Sequence, residues 1–236
     1  MIKVENIQVF NFDGAIRAMR NPLNSWAKSD SGYLCVENDG LYCEAEIPSE
    51  TTCNPNKYHI GPNDLDLMRR LFRSGVEHRT YARMVQVSMD ITAPLYWWKE
   101  ADRYTIGKSQ VSTSTMHKIH SKEFELDDFS YEHLIVDDDD CDWENGEYPG
   151  RLYLETVIDG LNTYRNKYLN TKDKKYWWQL IQLLPSSYNQ KRTICMNYEV
   201  VFKMIRERSN HKLDEWRSFV DILKTLPYVK EIMEDE

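Results

Sequence analysis

From Val85 to Ile91 apolar and polar residues alternate, with Val85, Val87, Met89 and Ile91 set against Gln86, Ser88 and Asp90. A period of two places the apolar set on one face of a strand. Pro94 ends the run and can open a helix that carries Tyr96, Trp97 and Trp98. Upstream, after Gly61-Pro62, Leu65, Met68, Leu71 and Phe72 fall on one helical face. Asn63 or Asp64 can cap that helix through a side-chain oxygen, and Gly75 suits its end. Helix, turn, strand and helix in this order read as an α+β chain.

The remaining segments fit the same class. Val4 to Phe10 reads as a strand. The stretch from Asn21 to Gly61 is rich in Asn, Ser, Asp, Gly and Pro, with Leu34–Val36 and Leu41–Ile47 as its best strand candidates. Residues 124–149 read as a polar excursion that contains the acidic run Asp137 to Asp142, interrupted only by Cys141. Beyond it the spacing turns helical. Leu154, Val157, Ile158, Leu161 and Tyr164 form one stripe, and Trp177, Trp178, Leu180, Ile181 and Leu184 form another that Pro185 stops. Val201, Met204 and Ile205 suggest a third. Leu213, Trp216, Phe219, Val220 and Leu223 make a fourth. There is no internal repeat and no linker long enough to split the chain, so residues 1–236 are expected to form one domain with the acidic loop inserted.

Composition bounds the partners. The net charge of −8 does not steer the chain toward nucleic acid non-specifically or toward anionic membrane. No run of 18 apolar residues occurs, which excludes a spanning helix on the reading of sequence alone. The first ten residues lack the apolar core of a signal peptide. Five cysteines without a CxxC pair suggest reduced thiols and a cytoplasmic location. His117-x-x-His120 lacks further ligands at zinc spacing, and the acidic run lacks the glycine and terminal glutamate of an EF-hand, so no metal is expected. Ser112 to Thr115 with His117 offers hydroxyls for a phosphate but no placed carboxylate for nucleophilic catalysis. Walker and dinucleotide glycine motifs do not occur, which argues against common ATPases and dehydrogenases.

The order of motifs from Asp64 to Lys118 resembles the flavin-dependent thymidylate synthases. A helix, Gly75, the turn Glu77-His78-Arg79-Thr80-Tyr81, an alternating strand and Ile91-Thr92-Ala93-Pro94-Leu95 follow one another as in that family. Leu184-Pro185, Asn197 and Ile205-Arg206-Glu207-Arg208 match the family's C-terminal pattern, and Ala15 to Arg20 is similar to its first helix. The family signature reads RHRxxSxNExSxRY. Aligned through Ala93-Pro94, its first Arg falls on Arg103, but Tyr104, Thr105, Lys108, Gln110, Val111, Thr113, Thr115 and Met116 replace the following conserved letters. In the family those letters hold flavin and nucleotide phosphates and orient the uracil ring.

The resemblance implies a mixed sheet flanked by helices, FAD as cofactor, dUMP as nucleotide and a homotetramer. Carried over by position, it implies nucleotide-binding roles for Lys99, Arg103, Lys108, Gln110, Thr113 and Arg208, and cofactor contacts for His78 and Asn197. Lys99, Arg103 and Lys108 lie among Trp97, Trp98 and Tyr104, a pattern that suits phosphate beside an aromatic ring. Loss of two arginines and a carboxylate from the signature predicts altered or lost activity on dUMP. The alternative is a pseudoenzyme, an interaction module that docks a protein partner, of a size and acidity that suit a phage or mobile-element accessory protein.

Overall fold

A computed structural model describes residues 2–35, 53–136 and 141–234. The strand candidate Leu41–Ile47, Val36 and the acidic residues Asp137 to Asp140 lie outside the described residues. In chain order the elements begin with β1 (Lys3–Phe10), α1 (Phe12–Arg20), β2 (Gly32–Cys35), β3 (Cys53–His59), α2 (Pro62–Arg73), β4 (Gln86–Pro94) and α3 (Leu95–Ala101). They continue with β5 (Lys108–Ser112), α4 (Thr115–Lys118), α5 (Gly150–Thr171), α6 (Lys174–Leu183), β6 (Asn189–Asn197), α7 (Tyr198–Arg208), α8 (Asp214–Lys224) and α9 (Val229–Met233). The fold is α+β, as the residue pattern predicts. One sheet has the strand order β1-β4-β6-β5, and β2 pairs antiparallel with β3 in a second.

The alternation in β4 has the expected result: Val87, Met89, Ile91 and Ala93 are buried, while the residues between them are partly exposed. β6, which lies between β4 and β5 in the sheet, is absent from the expectation. Its sequence puts Gln190, Lys191, Arg192 and Thr193 where a hydrophobic period would announce a strand. Only Ile194 and Met196 supply buried apolar side chains. β5 is equally quiet in sequence, because four of its five residues are exposed.

The chain divides into two compact units. The first comprises Met1–Glu5, Asp90–Arg103 and Gln110–Thr193. Its core joins Ile119, Phe124, Phe129, Leu154, Leu161 and Leu180. Phe124 and Phe129 refine the picture of 124–149 as a polar excursion: two phenyl rings anchor its start in the core, because a polar stretch still buries the aromatics it holds. The α6 stripe is corrected as well. Leu180 is fully buried, yet Trp178 remains 43% exposed.

The second unit comprises Asn6–Met89, Tyr104–Ser109 and Ile194–Glu236. Edge-to-face ring pairs knit its core, with Phe12 against Tyr198 and Phe72 against Phe202. The α2 cap differs from expectation. Asp30 accepts from the Asn63 and Asp64 amides at 2.8 and 3.1 Å. Asp64 is instead fully buried and accepts from Arg20 Nε at 2.6 Å and from the Ser29 and Ser31 hydroxyls at 2.7 Å each. Burial pushes the Asp64 carboxyl up, but the two hydroxyls and the Arg20 guanidinium outweigh it and hold the group below its ordinary value. Gly75 takes φ +119° just past α2, a conformation that side chains rarely adopt.

Candidate functional site

Residues at three signature positions, Tyr104, Gln110 and Thr113, fall into two polar clusters, one in each unit. In the first unit β6 supplies the centre. The Arg192 guanidinium lies 4.2 Å from the centroid of the Trp98 ring. Its Nη1 donates to Asp102 Oδ1 at 2.8 Å and its Nε donates to Gln190 Oε1 at 3.0 Å. Gln110 Nε2 donates to the same Asp102 oxygen at 2.7 Å. Gln190 Nε2 donates to the Thr113 carbonyl at 2.8 Å, and the Thr113 amide donates to the Lys191 carbonyl at 2.9 Å. Trp98 Nε1 closes the cluster by donating to the Gln190 carbonyl at 2.9 Å. A cation stacked on an indole and held by a carboxylate is strongly positioned.

Two expected residues, Gln110 and Thr113, are thus brought together by Asp102, Arg192 and Gln190, which sequence reasoning missed. The missing signal is β6 itself. Once that strand is known, Gln190 and Arg192 at spacing two share a face. Lys99 and Arg103 enter neither network: Lys99 is exposed on α3, and Arg103, just past the end of α3, is exposed and pairs with Glu100 at 3.2 Å.

In the second unit Tyr104 stands where the signature has histidine. Its side chain is buried, its hydroxyl donates to Glu207 Oε2 at 2.8 Å, and it accepts from Arg208 Nε at 3.0 Å. Burial, with Glu207, pushes the phenol up to about 12 against the pull of Arg208. The Arg208 guanidinium lies 4.8 Å from the Trp216 ring centroid. Tyr104, Glu207 and Trp216 therefore fix the one arginine that the C-terminal pattern singles out.

Asn197 is buried at the end of β6. Its Oδ1 accepts from the Val200 amide at 3.1 Å as the cap of α7, and its backbone amide donates to the Gly107 carbonyl at 3.0 Å. Gly107 has φ +77°, and a Cβ there would come 2.4 Å from Asn197 Nδ2. Lys108, next in the chain, is half-buried. His78 is exposed in the turn after Gly75, with Nε2 3.8 Å from Glu77. Its neighbour Arg79 is buried under Phe72 at 4.8 Å and faces Glu199 at 3.4 Å. Burial pushes the Glu199 carboxyl up against the pull of Arg79. Among the described residues, Arg79 Nε and Nη1 find no hydrogen-bond partner.

Two cavities bear on ligand size. In the second unit a cavity of about 1010 Å³ is lined by Tyr33, Tyr58, Tyr228 and the β1–α1 segment, with Asp13 and Glu231 but, among the described residues, no lysine or arginine. In the first unit a groove of about 320 Å³ carries Thr113, Ser114, Thr115, Lys118, Lys122 and Lys191. Lys122 is neutralised by Asp128 at 2.9 Å and Lys191 by Asp90 at 3.1 Å. The large cavity has the room for a dinucleotide, but its described lining offers no cation for the pyrophosphate. The groove has cations but less than half the volume. Among the described residues, no three His, Cys, Asp or Glu side chains converge to hold a metal ion, and no helix is long and apolar enough to cross a membrane.

No protein-family description and no curated protein matches the chain. Solved structures do. The crystal structure of thymidylate synthase X (ThyX) from Helicobacter pylori with FAD and dUMP is similar over 100% of this chain and 98% of its own, at 16% identity and a TM-score of 0.63. A second structure of the flavin-dependent thymidylate synthase ThyX from Helicobacter pylori, complexed with FAD and dUMP, is similar over 99% of this chain and 98% of its own, at 18% identity and a TM-score of 0.61. The chain therefore has the fold of these thymidylate synthase structures across its full length, and the likeness at this identity is one of fold.

Proposed function

We propose that this chain is a nucleotide-binding protein on the flavin-dependent thymidylate synthase scaffold, with activity on dUMP altered or lost. The observation that carries the reading is the end-to-end fold likeness to structures that hold FAD and dUMP. Arg208, matched by position and fixed by Tyr104 and Trp216, is the arginine assigned to a nucleotide phosphate. Lys99, Arg103, Lys108 and Thr113 are assigned supporting contacts. Loss of the reaction follows from the signature. Thr105 and Thr115 stand for arginines and Val111 for the glutamate. Each absent charge-assisted bond removes about 1.5–3 kcal/mol of ligand or transition-state stabilisation. Gln110 and Tyr104, at two more signature positions, commit their side chains to Asp102 and Glu207.

The test is the visible spectrum of the purified protein after incubation with FAD and desalting, followed by an assay of uridylate methylation. This reading expects no turnover at the rate of a synthase, with uridylate still bound. A retained flavin band together with turnover would refute the loss of chemistry.

One observation favours a second reading, a pseudoenzyme that serves as an interaction module. Val111, in place of the signature glutamate, is 77% exposed on the edge strand β5. An exposed apolar residue beside unpaired strand groups suits a protein partner or another copy of the chain. A homo-oligomer belongs to either reading. Light scattering, with and without a Val111→Glu substitution, distinguishes a β5-mediated assembly from a monomer.

A further inference from the structure

The chain is acidic, yet its charge is unevenly spread. Between Gly160 and Tyr198 the only carboxylate is Asp173, against Arg165, Lys167, Lys172, Lys174, Lys175, Lys191 and Arg192. Five of those seven cations sit on the hairpin where α5 ends and α6 begins. Lys175 pairs with Asp173 at 3.0 Å. Lys167, Lys172 and Lys174 form no ion pair among the described residues, and all three are exposed.

Aromatic rings are interleaved with these ammonium groups. Lys167 lies 5.6 Å from the Tyr164 ring centroid and 5.8 Å from that of Tyr176. Lys172 lies 5.8 Å from Tyr168. Lys174 lies 5.9 and 5.7 Å from Trp177 and Trp178. Trp178 is 43% exposed, although α6 has a buried face available through Leu180. The positive field reaches inward too. Burial, then Lys172, Lys118 and Arg165, hold the His120 imidazole below its ordinary value.

We propose that the α5–α6 hairpin binds a single-stranded nucleic acid, with Lys167, Lys172 and Lys174 on the phosphates and Trp178 stacked against a base. The charge pattern selects a polyanion. The rings then select among polyanions. An acidic peptide would use the lysines and leave the rings idle. A lipid surface calls for a continuous apolar face, and here each ring is presented beside a cation. Duplex DNA keeps its base faces stacked inside, whereas unpaired bases offer a π-face to an exposed indole.

The experiment titrates the full chain into fluorescein-labelled oligothymidylate and reads anisotropy across a salt series. Parallel titrations use a duplex of the same length and phosphatidylserine vesicles. The expected result is saturable binding of the single strand, tighter than the duplex or the vesicles. Lys167→Gln, Lys172→Gln and Lys174→Gln combined should weaken it at least tenfold and make the log–log salt slope shallower by about 2. Trp178→Ala should weaken binding about tenfold and abolish quenching of indole fluorescence by the oligonucleotide. Thermal melts of both variants should match the parent, since all four side chains are exposed. The proposal is overturned by no anisotropy change at about 100 μM protein, by equal or tighter binding of duplex or vesicles, or by unchanged affinity in the triple variant. Displacement of the oligonucleotide by dUMP would also overturn it, because the ligand would then occupy the nucleotide site proposed above.

Discussion

Arg20–Asp64 and Arg192–Asp102 are the same chemical contact at two depths. In the first, the side chains are 5% and 0% exposed, and the carboxylate also accepts from two hydroxyls and the Asp30 amide. In the second, the arginine is 12% exposed and the aspartate 44%. Water can replace Arg192 at Asp102, but nothing can replace Arg20 at Asp64. The buried pair is therefore scaffolding for α1 and α2. The half-open pair belongs to a surface network that also holds Gln110.

One substitution made in both places separates the pairs by the widest margin. Arg20→Met leaves a buried carboxylate without its cation and should cost about 3–5 kcal/mol, which lowers the melting temperature by roughly 10 °C. Arg192→Met keeps the packing on Trp98 and leaves a solvated aspartate, so it should cost only about 1 kcal/mol. Equal losses by calorimetry would remove the distinction.

A backbone test is expected to fall between these two. Gly107→Ala forces a side chain to φ +77° and toward Asn197 Nδ2, at an expected cost of about 2 kcal/mol. A melting temperature equal to the parent's would mean that this turn relaxes freely.

Acid titration tests the buried pair. The Asp64 carboxyl is held below its ordinary value in the fold. Its contribution is complete above the ordinary carboxylate range and is lost as pH falls through the lowered folded value. Urea midpoints should therefore drop steeply toward about pH 3, and Asp64→Asn, though less stable at neutral pH, should show a shallower acid limb. An unchanged slope would assign the acid sensitivity to other carboxylates.

The same contrasts mark what a sequence can reveal. β4, α2, α5 and α8 are legible because one period runs through each and a core lies on one side only. β6 is silent because its buried Gln190 and half-buried Arg192 are held by partners far away in the chain rather than by apolar burial. Asp64 looks like a helix cap because it stands in a first turn. Its true role depends on Arg20, 44 residues away, which no local pattern encodes. Among the candidate site residues, Gln110, Thr113 and Arg208 enter defined networks. Their partners Asp102, Gln190, Tyr104 and Trp216 become visible only once β6, α7 and α8 are in place. Trp178 looks like core because indoles usually are, and only the structure places it at the surface.

Whether a nucleotide site outlives the reaction is decided by isothermal titration of dUMP into the parent chain and into Arg208→Gln. Saturable binding to the parent is expected, with at least tenfold weaker binding to the variant and both proteins melting within a few degrees of each other. No binding heat from either protein at millimolar dUMP, or identical affinities for the two, would contradict a surviving site at Arg208.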